Sequence, residues 1–323
     1  VHKRHALAVA HWLVATLAIV LPVFMLAALV TFVLGAASGI DPAAGIAGDA
    51  ASPATIARIR AEFGLDQPLP QQFLRWMWGL TRGDFGTSWF SRVPVTDLIA
   101  QRLAISVSIA GLALAIGIVA GATLGMAAAM RQGGWIDRTV TMFASVAATL
   151  PPFIIAIGLI SVFSLRLHWL PGAGYVAPSV SLGGWLACIV MPAAALSVDV
   201  IAEIARQLRT GLVAAFAENY VTGARVRGLG WRRILFVHVL RDGAGPALSV
   251  LGLRVPVLIG GAVVTETIFT MPGIGMLSAD SALRGDVPVV QGALIVTILF
   301  VLCANTLINL LQGLLLPASR RRA

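Results

Sequence analysis

Four charged residues interrupt apolar runs where charge is least expected. Asp199 and Glu203 stand four apart in SVDVIAEIAR, Arg254 sits in LSVLGLRVPVL, and Glu266 in VVTETIF. Residues four apart share a helix face, where two carboxylates repel unless a cation lies between them. Catalysis would need more: a nucleophile beside a base, or clustered metal ligands. No HExxH or GxSxG is present, and the five histidines, His2, His5, His11, His168 and His238, are scattered. Cys188 and Cys303 both fall in apolar runs and read as small buried hydrophobes. Lys3 is the only lysine, which excludes a Walker A loop and Schiff-base chemistry. No catalytic, cofactor-binding or metal-binding residue is therefore assigned, and the chain is not read as an enzyme.

The elements that hold these charges are membrane spans. The chain has 323 residues, 58% hydrophobic and only 11% charged, against about 25% charged in a soluble domain. Six runs reach the roughly 20 apolar residues a spanning helix needs: about 10–35, 104–130, 139–165, 184–206, 247–271 and 287–316. The first follows HKRH, but is too long for a signal-peptide core and reads as a retained span. Pro151–Pro152, Pro192 and Pro256 fall in or at the ends of spans, as packing kinks or hinges. The formal charge of +9 reflects topology, with no signature of nucleic-acid binding. Lys3 and Arg4, Arg131 and Arg138, the Arg206–Arg241 cluster and Arg320–Arg322 all fall on one side if both termini are cytoplasmic. Loop 37–103 is then external. Its SPATIARIRAEFGL opens on a Ser-Pro helix start with apolar spacing at Ile56, Ile59 and Phe63. PLPQQFLRWMWGL gathers Phe73, Leu74, Trp76, Met77 and Trp78 into a second helix, expected along the outer membrane surface.

In this topology span four runs toward the cytoplasm and span five away from it. Asp199, Glu203 and Arg254 then lie at similar depth in the inner third. Charge there costs about 2.5–3.5 kcal/mol per residue on insertion scales, so partners are expected. The expected arrangement pairs Arg254 with Asp199 or Glu203. Two others stay open: carboxylates lining a cavity for cationic cargo, or Glu203 paired with Arg206 or simply reaching the interface. Glu266 is a candidate for the translocation path, or a capping or interfacial carboxylate.

Between spans four and five lies a basic, glycine-punctuated island, YVTGARVRGLGWRRILFVHVLRDGAGP. It resembles the cytoplasmic loop of binding-protein-dependent ABC importer permeases of the dipeptide/oligopeptide/nickel branch. Tyr220, Val221, Ala224, Arg225, Arg227, Gly228, Leu229, His238, Leu240, Arg241 and Pro246 match that pattern in order. Thr222, Gly223 and Ala224 take the E-A-A positions; Thr222 and Gly223 depart from the letters, and Asp242 replaces an asparagine. FGLDQPLPQQFLRWMWGLTRGDFGTSW, TLPPFIIAIGLI, HWLPGAGY, GAVVTETIFTMPGIGML and DVPVVQGALIV are similar to other segments of the same family, so the likeness covers about residues 1–318.

The resemblance implies an all-α, six-helix type I importer permease fold in the bacterial inner membrane. It divides the chain into 1–36 (first span), 37–103 (external loop), 104–318 (core with a coupling loop at about 207–246) and 319–323 (basic tail). It further implies a second homologous permease, two cytosolic ATPases carrying ATP and Mg, and an external substrate-binding protein. Tyr220, Thr222, Gly223, Ala224, Arg225, Arg227, Gly228, Leu229, His238 and Arg241 would form the ATPase-coupling loop, with Tyr220, Ala224 and Arg227 on one face. The implied cargo is a dipeptide or oligopeptide. A nickel chelate or glutathione is the alternative within the family, and a gradient-driven secondary transporter the alternative outside it.

Overall fold

A computed structural model describes residues 2–37, 39–48 and 51–315. The basic tail 319–323 lies outside them, as do the side chains of residues 1–19, which include the three N-terminal histidines. The described residues form helices joined by loops, with one isolated bridge between Thr87 and Pro94. They pack as two compact units, one joining residues up to Arg102 with Leu277–Leu299, the other Leu103–Met276 with residues from Phe300 on.

In the first unit α1 (His2–Ala37) is followed by α2 (Pro42–Ala47), α3 (Pro53–Phe63) and α4 (Leu69–Thr81). Asp41 caps α2 by accepting from Ala43 N at 3.1 Å, and Arg60 of α3 donates to the same carboxylate at 2.6 Å. Ser52 caps α3 in the same way through Thr55 N. The α4 helix is amphipathic. Phe73, Trp76, Met77 and Leu80 pack with Phe24 and Ala28 of α1, while Leu74 and Trp78 stay exposed. The unit also contains the first turns of α5 (Val95–Met130) and most of the N-terminal half of α14 (Val287–Leu315). Asp286, just before α14, accepts from Ser88 Oγ at 2.6 Å and Trp89 N at 3.1 Å, fastening the 84–94 loop to that helix.

The second unit is built around α8 (Leu182–Phe216), whose Ile189, Met191, Leu196, Val200 and Ile204 are buried against α5 and α12 (Gly245–Ile268). At 24 residues and 1.5 Å per residue, α12 extends about 36 Å, enough to cross a bilayer. Pro192 and Pro256 lie inside continuous helices. The third expected span is different. It divides into α6 (Trp135–Ala147) and α7 (Pro152–Leu159), which continues as a π-helical turn to Arg166, and the two halves are bent by 102°. Successive prolines explain the break: neither has an N–H to donate, and each disfavours helical geometry in the residue before it. Among the described residues, five helices are long and apolar enough to cross a membrane, or six if this bent pair is one span. Helices also outrun the apolar runs: α5 begins at Val95 and α8 continues to Phe216. Cys188 is buried, but Cys303 is exposed on the apolar surface of α14.

Beyond α8 the chain forms α9 (Asn219–Val226), α10 (Trp231–Arg233) with a π-helical turn Ile234–Val239, and α11 (Leu240–Gly243). Backbone meets backbone where α11 returns to α8: a Cβ on Gly211 would lie 2.0 Å from the Gly243 carbonyl oxygen. Only glycine permits that approach.

Candidate functional site

The island 218–243 is an organised hairpin. Val221 and Ala224 of α9 are 1% and 2% exposed, packed with Leu212 and Ala215 of α8 and with Ile234, Leu235 and Val239. The helix ends in a Schellman motif. Gly228, with φ 75°, donates to Arg225 O at 2.9 Å, and Leu229 N donates to Ala224 O at 3.1 Å. Leu229 packs in the same cluster as Ala224, the apolar contact that accompanies this stop.

This packing divides the expected loop residues into two sets. Tyr220, Ala224 and Arg227 do share a side, but it is the inner one. With Val237, His238, Arg241 and Asp242 they line a cleft of about 340 Å³ between α9 and the returning segment. The side turned outward carries Thr222, Arg225 and Val226, continued by the exposed Gly228. Gly223 is half-buried between the two sets. Trp231, Phe236 and Val237 add exposed apolar surface beside it.

About two to three turns back along α8 from Gly211 the charges within the apolar runs meet. Arg254 Nη1 donates to Asp199 Oδ2 at 2.7 Å and Nη2 to Glu203 Oε2 at 3.3 Å. Glu203 also accepts from Arg206 and, at 3.0 Å, from Gln207 Nε2. The Arg254 pairing and the Arg206 pairing, rivals in the sequence, therefore coexist on one carboxylate. Glu203 is 6% exposed, and three donors offset the cost of enclosing its charge. Asp199 and Arg254 are each about a quarter exposed.

Sequence reasoning missed a second ion pair. Arg209 of α8 grips Asp137 of α6 through Nε and, at 2.7 Å, Nη2, while Asp137 also accepts from Gly133 N at 2.9 Å. The available signal was Asp137, the only acid in the short 131–138 link, with an arginine near the C-terminal end of span four. Glu266 lies on no surface of the chain. It is fully buried, accepting from Ser106 Oγ at 2.6 Å and Met276 N at 2.9 Å, while Ser106 Oγ accepts from Ile274 N at 2.8 Å. Two side chains from α5 and α12 thus cap the first turn of α13 (Ile274–Arg284).

The described helices form a membrane core with a helical hairpin between α8 and α12. A solved amino acid ABC transporter with histidines shares this fold, at a TM-score of 0.50 and 16% identity over 68% of this chain and 94% of that one. The chain belongs to the binding-protein-dependent transport system inner membrane component family, whose model matches residues 121–321, with the family's N-terminal model matching 9–110. Its relatives include a probable peptide ABC transporter permease of Sinorhizobium fredii, 37% identical over 87% of this chain and 90% of that one. A putative peptide transport system permease of Brucella abortus is 38% identical over 93% and 96%. The dipeptide transport system permease protein DppB of Escherichia coli K12 is 32% identical over 95% and 97%.

Proposed function

We propose that this chain is the membrane permease of an ATP-driven importer of dipeptides or oligopeptides. In this reading it pairs with a second homologous permease. Two cytosolic ATPases bind ATP and Mg, and an external binding protein delivers cargo. Both termini are cytoplasmic and loop 37–103 is outside. The chain carries out no covalent chemistry: closure of the ATPases displaces the 218–243 hairpin, and the spans change the side on which their shared cavity opens.

The observation that carries this reading is the hairpin itself. Its core residues are spent on holding α9 to α8, and its outward face is left open, with Thr222, Arg225 and Val226 beside the exposed Trp231 and Phe236. The peptide assignment is supported by the relatives' names. Gly228→Trp tests the coupling role. A bulky residue at a φ of 75° unravels the Schellman stop and obstructs docking. The variant should insert normally, yet lose peptide uptake and stimulation of the ATPases. Normal uptake by that variant, with normal stimulation, removes the coupling role from this loop.

A further inference from the structure

The first unit holds an open pocket of about 210 Å³ that the coupling mechanism does not use. Its apolar walls are Phe32 of α1, Phe63 of α3, Trp76 of α4 and Trp89 of the 84–94 loop, and its polar lining includes Arg75 and Asp84. The walls are held from behind. Phe63 and Trp89 have ring centroids 6.2 Å apart, and Arg92 lies 4.2 Å over Phe63 while bonding Glu62 at 2.6 Å. Phe73 bridges the other side, 5.6 Å from Phe32 and 6.1 Å from Trp76. The two charges are partly oriented as well: Arg75 bonds Gln67, and Asp84 Oδ1 accepts from Gly86 N at 2.8 Å, leaving its second oxygen for another donor. A preformed apolar hole with a few placed polar groups is the usual form of a small-ligand site.

We propose that this pocket receives a short zwitterionic peptide, with one apolar side chain among the rings, its ammonium group toward Asp84 and its carboxylate toward Arg75. The volume suits one large side chain, and the open mouth leaves room for the rest of the peptide. One cation and one anion on the same lining match a ligand bearing both charges and disfavour a purely cationic or purely apolar one. The proposal rests on the peptide-import reading, which also places this pocket on the outer face. There it would hold cargo released by the binding protein before the path opens.

The test uses the full chain in lipid nanodiscs, with leucyl-leucine as the probe and saturation-transfer NMR as the readout. Free leucyl-leucine should bind at least tenfold more tightly than its N-acetylated, C-amidated form, a comparison that needs no variant. Arg75→Met and Asp84→Asn should each weaken binding about tenfold, as expected for loss of a charged hydrogen bond, and Arg75→Lys should retain most of it. Equal binding of the blocked peptide would mark a merely apolar hole and overturn the proposal. So would no binding by the wild-type chain, or unaltered binding by both charge variants. In parallel, proteoliposomes containing the complete transporter measure uptake of the same peptide. Uptake without pocket binding leaves the import reading standing and removes this site; no uptake of this or other peptides removes both.

Discussion

At the scale of single residues, the Asp199–Glu203–Arg254 cluster makes the sharpest prediction. Arg254→Leu leaves two neighbouring carboxylates facing apolar surroundings, with only Arg206 and Gln207 still on Glu203. Removing one partner of a buried pair costs about 3–5 kcal/mol, and partial exposure of Arg254 lowers this toward about 2. Expression and thermal stability should fall, and the triple change Arg254→Leu, Asp199→Leu, Glu203→Leu should recover most of the loss. Failure of the triple variant to recover would dissociate these residues. Asp286, outside the spans, predicts a pH dependence. Burial pushes its carboxyl up from the ordinary value, against the opposing hydrogen bonds of Ser88 and the Trp89 and Phe90 amides. A raised folded-state value means that the folded chain holds the proton more tightly than the unfolded chain. Its contribution to stability is full below about pH 4 and declines as pH rises through the folded value. Asp286→Asn should flatten that part of the stability–pH curve, which thermal melts from pH 4 to 7 would show. The cost of charge in lipid singles out Asp199, Glu203 and Arg254 in the sequence, and the structure puts all three within hydrogen-bonding distance. Glu266 was not so legible. An acid near the end of a span reads the same whether it faces a path or caps a neighbouring helix, and only the position of Ser106, 160 residues away, distinguishes the two.

At the scale of elements, α8 and the segment returning to it are joined twice, by the Gly211–Gly243 contact and by the charge cluster. Gly211→Val has no space for its side chain. Overpacking costs about 1–3 kcal/mol and sometimes more, so this variant should melt several degrees lower, whereas Gly223→Ala on α9, with open space at its Cβ, should be near neutral. Differential scanning fluorimetry of the two variants would check the contrast. Spans were legible because twenty apolar residues have few other uses. The caps of α3 and the stop of α9 were legible from Ser52 and Gly228, whose chemistry is local. The 102° break was not, because an apolar run across Pro151–Pro152 looks the same whether the helix kinks or folds back. Nor did spacing alone show that Ala224 faces inward, since that depends on where α10 and its π-helical turn return.

At the scale of the whole molecule, topology is open to a direct test. Ser91 is exposed, whereas Ser88 is buried on Asp286 and unsuited to a probe. With Cys188 and Cys303 replaced by alanine, Ser91→Cys should react with an impermeant maleimide on intact cells, and Arg138→Cys only after permeabilisation. The reverse pattern inverts the orientation. The broken third span has a further consequence. Its halves, Trp135–Ala147 and Pro152–Arg166, measure about 20 and 22 Å at helical rise, each short of a hydrocarbon core of about 30 Å. The non-helical link between them carries Thr149, Leu150 and Pro151, all exposed in the isolated chain. Lipid offers no hydrogen bonds to the peptide groups freed at such a break, so irregular backbone at that depth persists only against protein or water. We therefore expect this edge to be covered in the membrane, by a neighbouring subunit or a wetted passage rather than by lipid.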